Sequence, residues 1–400
     1  MASHRFIQIH SLTSYPAALL NRDDAGLAKR IPFGGATRTR ISSQCLKRHW
    51  RTADDAEALR NCADGQTSVR SRLSFDRHVY RPLVEEDRLD HALAHAVTEA
   101  VMALTLGESA KAKAEKKKLA EDGDAAAPGV QSNQVTVLGR PELDFLRAEA
   151  RTICGLVRDS KGAADAVKKH FTRDRIDNLR ALKLGAGLDA AMFGRMVTGD
   201  ILARVDAAIH VAHAFTVHGE QSESDYFSAV DDILKDSPEG GLGSGHINSS
   251  ELTSGLFYGY VAIDLHGLIR NLGDDRALAA EVTRRMIHLI ATVTPGAKLG
   301  STAPHAYADL MMVEAASAQP RTLANAFLTP VRLAPDPLVN AYDALAAHLG
   351  QLDRFYDRTA RNAIALGQAE RLKPVLNDSE RASSLAELAR WAATRVEDSE

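Results

Sequence analysis

Three short segments with the alternation of β-strands bracket more than half of the chain, and this arrangement limits the fold more than any other feature. Arg5 to Thr13 places Phe6, Ile7, Ile9 and Leu12 among polar residues, the pattern of a strand. Leu256 to Leu265 repeats it with Phe257, Val261, Ile263 and Leu265, and Tyr307 to Ala315 reads as a third, buried strand. A helix follows each of the first two. The first begins at Ser42 or Ser43, whose hydroxyl can cap it, and runs through Leu46, Trp50 and Ala53. The second carries Leu278, Val282, Met286, Leu289, Ile290 and Val293 on one face. The order strand–helix–insertion–strand–helix–strand predicts an α+β chain with a ferredoxin-like sheet packed on helices.

The residues between these elements read as insertions. Asn21 to Arg40 is loop-like, interrupted by the breaker Phe33-Gly34-Gly35. Leu89, Leu93, Val97, Val101 and Leu104 mark an amphipathic helix. Residues 111–129 are lysine- and alanine-rich and end in Pro-Gly, the composition of a mobile, solvated loop. Glu142 to about Val217 is mostly helical, and Glu220 to Glu251 is acidic and then glycine-rich, an excursion from the core.

With 400 residues, 45% of them hydrophobic and 25% charged, the chain can bury a sizeable core, which argues against wholesale disorder. It has no apolar run long enough to span a bilayer, and His4, Arg5, Gln8 and His10 interrupt any signal-peptide core. Cys45, Cys62 and Cys154 lack metal-ligand spacing and fit a reduced compartment, so a cytoplasmic protein without a membrane partner is expected. The net charge of −3 is no mark of a nucleic-acid binder, but its distribution matters more. Asn21 to Arg51 holds eight basic residues (Arg22, Lys29, Arg30, Arg38, Arg40, Lys47, Arg48 and Arg51) against Asp23 and Asp24. Ser42, Ser43 and Gln44 stand at the start of a helix, where free N–H groups and the positive dipole end attract anions. Lys47 and Arg51, four apart, share one face and can follow a phosphate chain. On charge alone, a capped surface helix with solvated side chains remains the competing reading.

Candidate active sites are weak. His210, His213 and His218 give H-x2-H-x4-H, the first two on one helix face, without further ligands nearby. Asp231 and Asp232 are adjacent and point apart on a helix, as a solvated pair would. Nucleophile-elbow, phosphate-loop and dinucleotide fingerprints are missing. No catalytic residue, metal or cofactor is therefore expected. The enzymatic alternative is a ferredoxin-like endoribonuclease processing precursor RNA, with His10, at a strand end, or His246 as general acid or base.

The segment Leu20-Asn21-Arg22-Asp23-Asp24, Phe33-Gly34-Gly35 and Arg38-x-Arg40-Ile41-Ser42-Ser43-Gln44-x-Leu46-Lys47-Arg48 resembles the signature of the CasC family, the backbone subunit of the type I-E CRISPR Cascade complex. Gly194-Arg195-Met196 with Thr198, Tyr226-Phe227-x-Ala229-Val230-Asp231-Asp232, Ser254-Gly255-x-Phe257-Tyr258-x-Tyr260, Pro295-Gly296-Ala297-Lys298 and Ala324-Asn325-Ala326-Phe327 are similar to that family's blocks in the same order. The resemblance covers roughly residues 5 to 330.

The resemblance implies an RNA-recognition-like palm from residues 1–60 and 255–330, mainly helical fingers at 61–217, a protruding thumb at 218–254 and a helical C-terminal part at 331–400. It further implies copies stacked along a CRISPR RNA with other Cascade subunits, kinking the RNA periodically and leaving its bases to pair with target DNA. Implied RNA contacts are Arg22, Arg38, Arg40, Ser42, Ser43, Gln44, Lys47, Arg48, Arg51, Arg195, Met196 and Lys298. Tyr226, Phe227, His246 and Ile247 would act in the kinking thumb, where apolar side chains can unstack a nucleotide without reading it. A second basic set, Lys161, Lys168, Lys169, Arg173 and Arg175, offers a track for DNA or a solvated helix face; the first four are carried as possible DNA contacts.

Overall fold

The computed structural model describes residues 4–62, 66–107, 129–196, 201–230 and 244–399. The loop expected at 111–129 lies outside them except for Gly129, as do Thr198, Asp231, Asp232 and Gly240 to Gly243. Two compact units form. One comprises Met1–Ala58, His210–Leu265 and Ala280–Glu400; the other comprises Leu59–Ile209 and His266–Ala279.

The first unit is built on an antiparallel sheet around β1 (Phe6–Ala18). The hairpin β2 (Arg30–Phe33) and β3 (Ala36–Ile41) follows, then helix α1 (Ser43–Thr52). Strands β4 (Val69–Ser71) and β5 (Thr136–Leu138) pair separately in the second unit. The main sheet resumes with β6 (Ile209–Val211), β7 (Ala214–Thr216), β8 (Ser222–Val230), β9 (Ser244–Asp264), β10 (Leu310–Ala316) and β11 (Ala360–Ala365). Its order is β11-β10-β1-β9-β7-β3-β2, with β8 added to β9. The inner order β10-β1-β9-β7, with α1 and the helix Arg276–Thr292 in the crossovers, is that of a ferredoxin-like unit. The α+β fold is thus the one the strand pattern predicts.

Both faces of the sheet are covered, which is why Phe6 to Thr13 is buried without interruption. Ile9, Ser11, Thr13 and Tyr15 face Leu46 and Trp50 of α1 and Ile290 and Val293. On the opposite side, Leu12, Tyr258, Leu310 and Met312 pack with Phe327 and with Ala341, Tyr342, Leu345 and Leu349 of the helix Pro337–Phe355. Asp336 caps that helix by accepting from the Leu338 and Val339 amides at 2.8 and 3.2 Å. Removing a buried side chain such as Leu345 costs about 2–5 kcal/mol. The second unit has its own core, in which the helices His91–Leu106 and Arg140–Leu156 contribute Val97, Val101, Leu143, Leu146 and Ile153.

Three local expectations are corrected. Asn21 to Arg40 is not all loop: the β2–β3 hairpin closes on Gly34 and Gly35, whose φ of 61° and 76° suit the two-residue turn that favours glycine pairs. His210 lies on β6 and His213 in the short link just before β7, not on a helix, because this stretch pairs into the sheet. Beyond residue 330 the chain is not all helical, since Ala360–Ala365 pairs with β10 as β11.

Candidate nucleic-acid interface

The basic edge of the first unit is assembled by a loop pinned to the start of α1. The Asn21 carboxamide oxygen accepts from the Ser42 amide at 2.8 Å, and the Asn21 carbonyl accepts from the Lys29 amide at 2.9 Å. Asp23 turns the loop by accepting from the Ala25 and Leu27 amides at 2.9 and 3.0 Å. Ser42 caps α1, accepting from the Cys45 amide at 3.3 Å. With Leu46 and Trp50 turned into the core, Gln44 and Arg48 stand exposed and Lys47 and Arg51 half-buried. Arg22 is exposed and Lys29 half-buried. The loop carrying Lys298 comes to the same place: the Ala297 amide donates to the Leu19 carbonyl at 2.9 Å and the Gly296 amide to His49 Nε2 at 3.4 Å. Burial raises the Cys45 thiol, while Arg48 and Lys29 pull it the other way, a sign of the positive potential here.

Several residues expected at this interface are structural. Arg38 is wholly buried and donates to the carbonyls of Phe33, Thr216 and Phe327 at 3.2, 2.9 and 2.9 Å. Burial lowers its guanidinium from the ordinary value, and no phosphate can reach it. Ser42 and Ser43 are buried, and the Ser42 oxygen is used by the cap. Arg40 is half-buried, donating to the Arg30 carbonyl at 3.1 Å and lying 2.9 Å from His213 Nδ1. Arg30 is bound to Glu220 and Glu251. Lys29, counted in the basic stretch but not singled out, belongs to the edge. Asn21, which organises it, stands in the Leu20-Asn21-Arg22-Asp23-Asp24 block, but its bond to the Ser42 amide spans 21 residues and leaves no local signal.

Glu220 and Glu251 flank the root of a long hairpin arm of β8 and β9. Arg30 joins them, the Ala28 amide donates to Glu251 at 2.6 Å, and the Glu220 amide donates to the Thr37 carbonyl at 2.9 Å. The ladder sets Tyr226 opposite Ser249, Phe227 opposite Asn248, Ser228 opposite Ile247 and Ala229 opposite His246. Tyr226 is exposed; the side chains of Phe227, His246 and Ile247 lie outside the described part.

In the second unit Arg195 is not a surface cation. Its side chain is 1% exposed and paired with Glu142, so a direct phosphate contact is ruled out for it. Met196, the next residue, is 96% exposed. Lys161, Lys168, Lys169 and Arg173 are exposed, whereas Arg175 is bound to Glu149.

The enzymatic alternative loses its first histidine. His10 sits in mid-strand, fully buried, with Nδ1 2.8 Å from the Tyr258 hydroxyl and Nε2 3.3 Å from Glu314. Burial lowers its imidazole from the ordinary value. Burial opposes ionisation of Glu314, but His10, Arg321 and Arg361 outweigh it and hold the carboxyl well below the usual range. His218 is buried, 2.7 Å from the Gly219 carbonyl, and accepts from the Leu256 amide at 3.1 Å. Among the described residues no three His, Cys, Asp or Glu side chains converge as metal ligands, and no helix is long and apolar enough to cross a membrane.

The profile of the CT1975-like protein family matches residues 7–391. A solved chain titled "CRISPR RNA-guided surveillance complex, pre-nicking" is 26% identical and superposes with a TM-score of 0.74 over 98% of this chain and 100% of that one. A second, titled "CRISPR RNA-guided surveillance complex", is similar in fold at 22% identity and a TM-score of 0.67, over 97% and 99% of the two chains. No curated protein matches.

Proposed function

Since the chain belongs to the CT1975-like protein family, we propose that it is a structural backbone subunit of a Cascade-like, CRISPR RNA-guided surveillance complex of the type I-E kind. Copies of the chain stack along the CRISPR RNA together with other subunits of the complex in the cytoplasm. The observation that carries this reading is the basic edge itself. Arg22, Lys29, Lys47, Arg48, Arg51 and Lys298 are gathered by hydrogen bonds of the Leu19–Lys29 and Pro295–Lys298 loops beside the capped end of α1. Such a set holds phosphates of any guide sequence and leaves base edges free to pair with target DNA.

The arm of one copy folds over the RNA at its neighbour, with Tyr226, Phe227, His246 and Ile247 at the bend, and Met196 opens a base step as an apolar wedge. Lys161, Lys168, Lys169 and Arg173 follow the backbone of the target DNA. The test is reconstitution with guide RNA and partner subunits, followed by ribonuclease footprinting. A regular ladder of protected steps, independent of guide sequence, is expected. RNA left uniformly open to nuclease refutes the reading.

A further inference from the structure

A fully buried ion pair in the second unit ends, one residue further on, in an apolar side chain almost entirely in solvent. Glu142 lies in the first turn of the helix Arg140–Leu156 and accepts from the Gly139 amide at 3.2 Å. Arg195 grips both its oxygens, Nη1 to Oε2 at 2.6 Å and Nη2 to Oε1 at 2.8 Å. The same guanidinium donates to the carbonyls of Ala203 and Val137 at 2.7 and 3.3 Å. The backbone is tied as well: the Arg195 amide donates to the Val205 carbonyl at 2.7 Å, and the Val205 amide donates back at 3.3 Å. Before it, Gly194 holds φ at 80°, and a Cβ there would stand 2.9 Å from the Ala207 nitrogen. The two charged side chains are 1% and 3% exposed, and Met196 is 96% exposed.

Desolvating two charges offsets most of their attraction, so a buried pair is a poor source of stability; fixing a geometry is its better-attested use. The bidentate fork sets the direction of Arg195, and the two backbone bonds to Val205 set that of the chain. A methionine on a loose loop would yield to a stacked base; one on a fixed root would not. Its unbranched thioether fits against any base and offers no strong hydrogen bond that reads sequence.

We propose that the Glu142–Arg195 pair is a positioning device that holds Met196 outward as a rigid wedge against a base step of the bound RNA. Neither charged residue touches the RNA. The inference rests on the RNA-binding reading above and adds to it the part that fixes the wedge.

The test uses the reconstituted complex with guide RNAs carrying 2-aminopurine at successive positions, whose fluorescence rises where a base is unstacked. Four variants are compared: Met196→Ala, Met196→Leu, Glu142→Gln, and Glu142→Leu combined with Arg195→Met, which replaces the pair without stranding a charge. Wild type is expected to show bright positions at regular intervals, with Met196→Leu close to it. Met196→Ala, Glu142→Gln and the double replacement are expected to lose most of that signal. Retention of the RNA at fixed salt should change far less than the fluorescence in the two pair variants. A role in stability alone would lower their melting temperature and leave the fluorescence of the folded complex unchanged, which overturns the proposal. So does wild-type fluorescence from Met196→Ala, a surface change that spares the fold. A wild-type complex that holds no RNA instead refutes the functional reading, and the wedge falls with it.

Discussion

The basic edge makes a quantitative demand on salt dependence. Six cations are presented there: Arg22 and Arg48 exposed, and Lys29, Lys47, Arg51 and Lys298 half-buried. If each neutralises one phosphate of a single strand, the slope of log K against log salt is at most about −4.2, from roughly 0.7 per contact. Between 50 and 200 mM salt, affinity then falls by about 300-fold. The combined change Lys47→Ala and Arg51→Ala removes two contacts, lowering the slope to about −2.8 and the loss over the same interval to about 50-fold. The whole difference lies in phosphate contacts, so it must be the same for guides of unrelated sequence. Fluorescence anisotropy with labelled guide RNA, titrated at four salt concentrations, measures both slopes. An unchanged slope in a folded double variant, or a change confined to one guide sequence, refutes the assignment of α1 to the phosphate backbone.

Further expectations concern the scaffold. Gly34→Ala places a Cβ 1.6 Å from the Leu328 carbonyl oxygen at a φ of 61°, so a loss of at least about 2 kcal/mol in urea unfolding is expected. Arg30→Ala leaves Glu220 and Glu251 facing each other at the arm's root; hydrogen exchange of the Ser222–Asp225 amides should accelerate, with about 1–2 kcal/mol lost overall. His10 is held neutral, below its ordinary 6.5. As pH falls below 6.5 the unfolded chain therefore binds a proton that the folded chain refuses, and stability declines by up to about 1.4 kcal/mol per pH unit. Glu314, held low, keeps its contribution above about pH 4.3 and loses it only in stronger acid. His10→Gln should flatten the decline between pH 6.5 and 5 in urea midpoints and leave the acid limb in place.

The elements that sequence revealed are those whose pattern is local. The Ser42 cap and the Leu46 and Trp50 face of α1 follow from spacing within one helix. The strand order follows from period-two runs, though β1 continues past Pro16 through an irregularity that periodicity cannot register. The β2–β3 hairpin was hidden because Ala-Thr-Arg-Thr-Arg-Ile alternates hardly at all in hydrophobicity; only the glycine pair betrayed its turn. Arg38 and Arg195 mislead most. A charged side chain reads as solvated, and what draws these two inward is remote: carbonyls of Thr216 and Phe327 for one, the Glu142 carboxylate for the other. The arm was recognisable as an excursion from its acidic and glycine-rich composition, but its antiparallel register is a tertiary fact.

The covering of the sheet bears directly on the proposed RNA site. In a bare four-stranded sheet of this topology the face opposite the helices is open, and its aromatic side chains stack on bases. Here that face is closed. Tyr258 is buried; its hydroxyl lies 2.8 Å from His10 and accepts from the Leu323 amide at 2.9 Å, and its ring lies 5.3 Å from that of Phe327. The helix Pro337–Phe355 packs over the same cluster. On the proposed function, stacking on this face would hold bases that a guide must offer for pairing, so a closed face and a cationic edge would serve one end. Tyr258→Phe separates the two roles. It strands the buried Leu323 amide and should cost about 1–3 kcal/mol of stability, while RNA affinity at matched salt stays that of wild type. A folded Tyr258→Phe chain that loses the RNA would return the binding site to the sheet face and remove the basic edge from the argument.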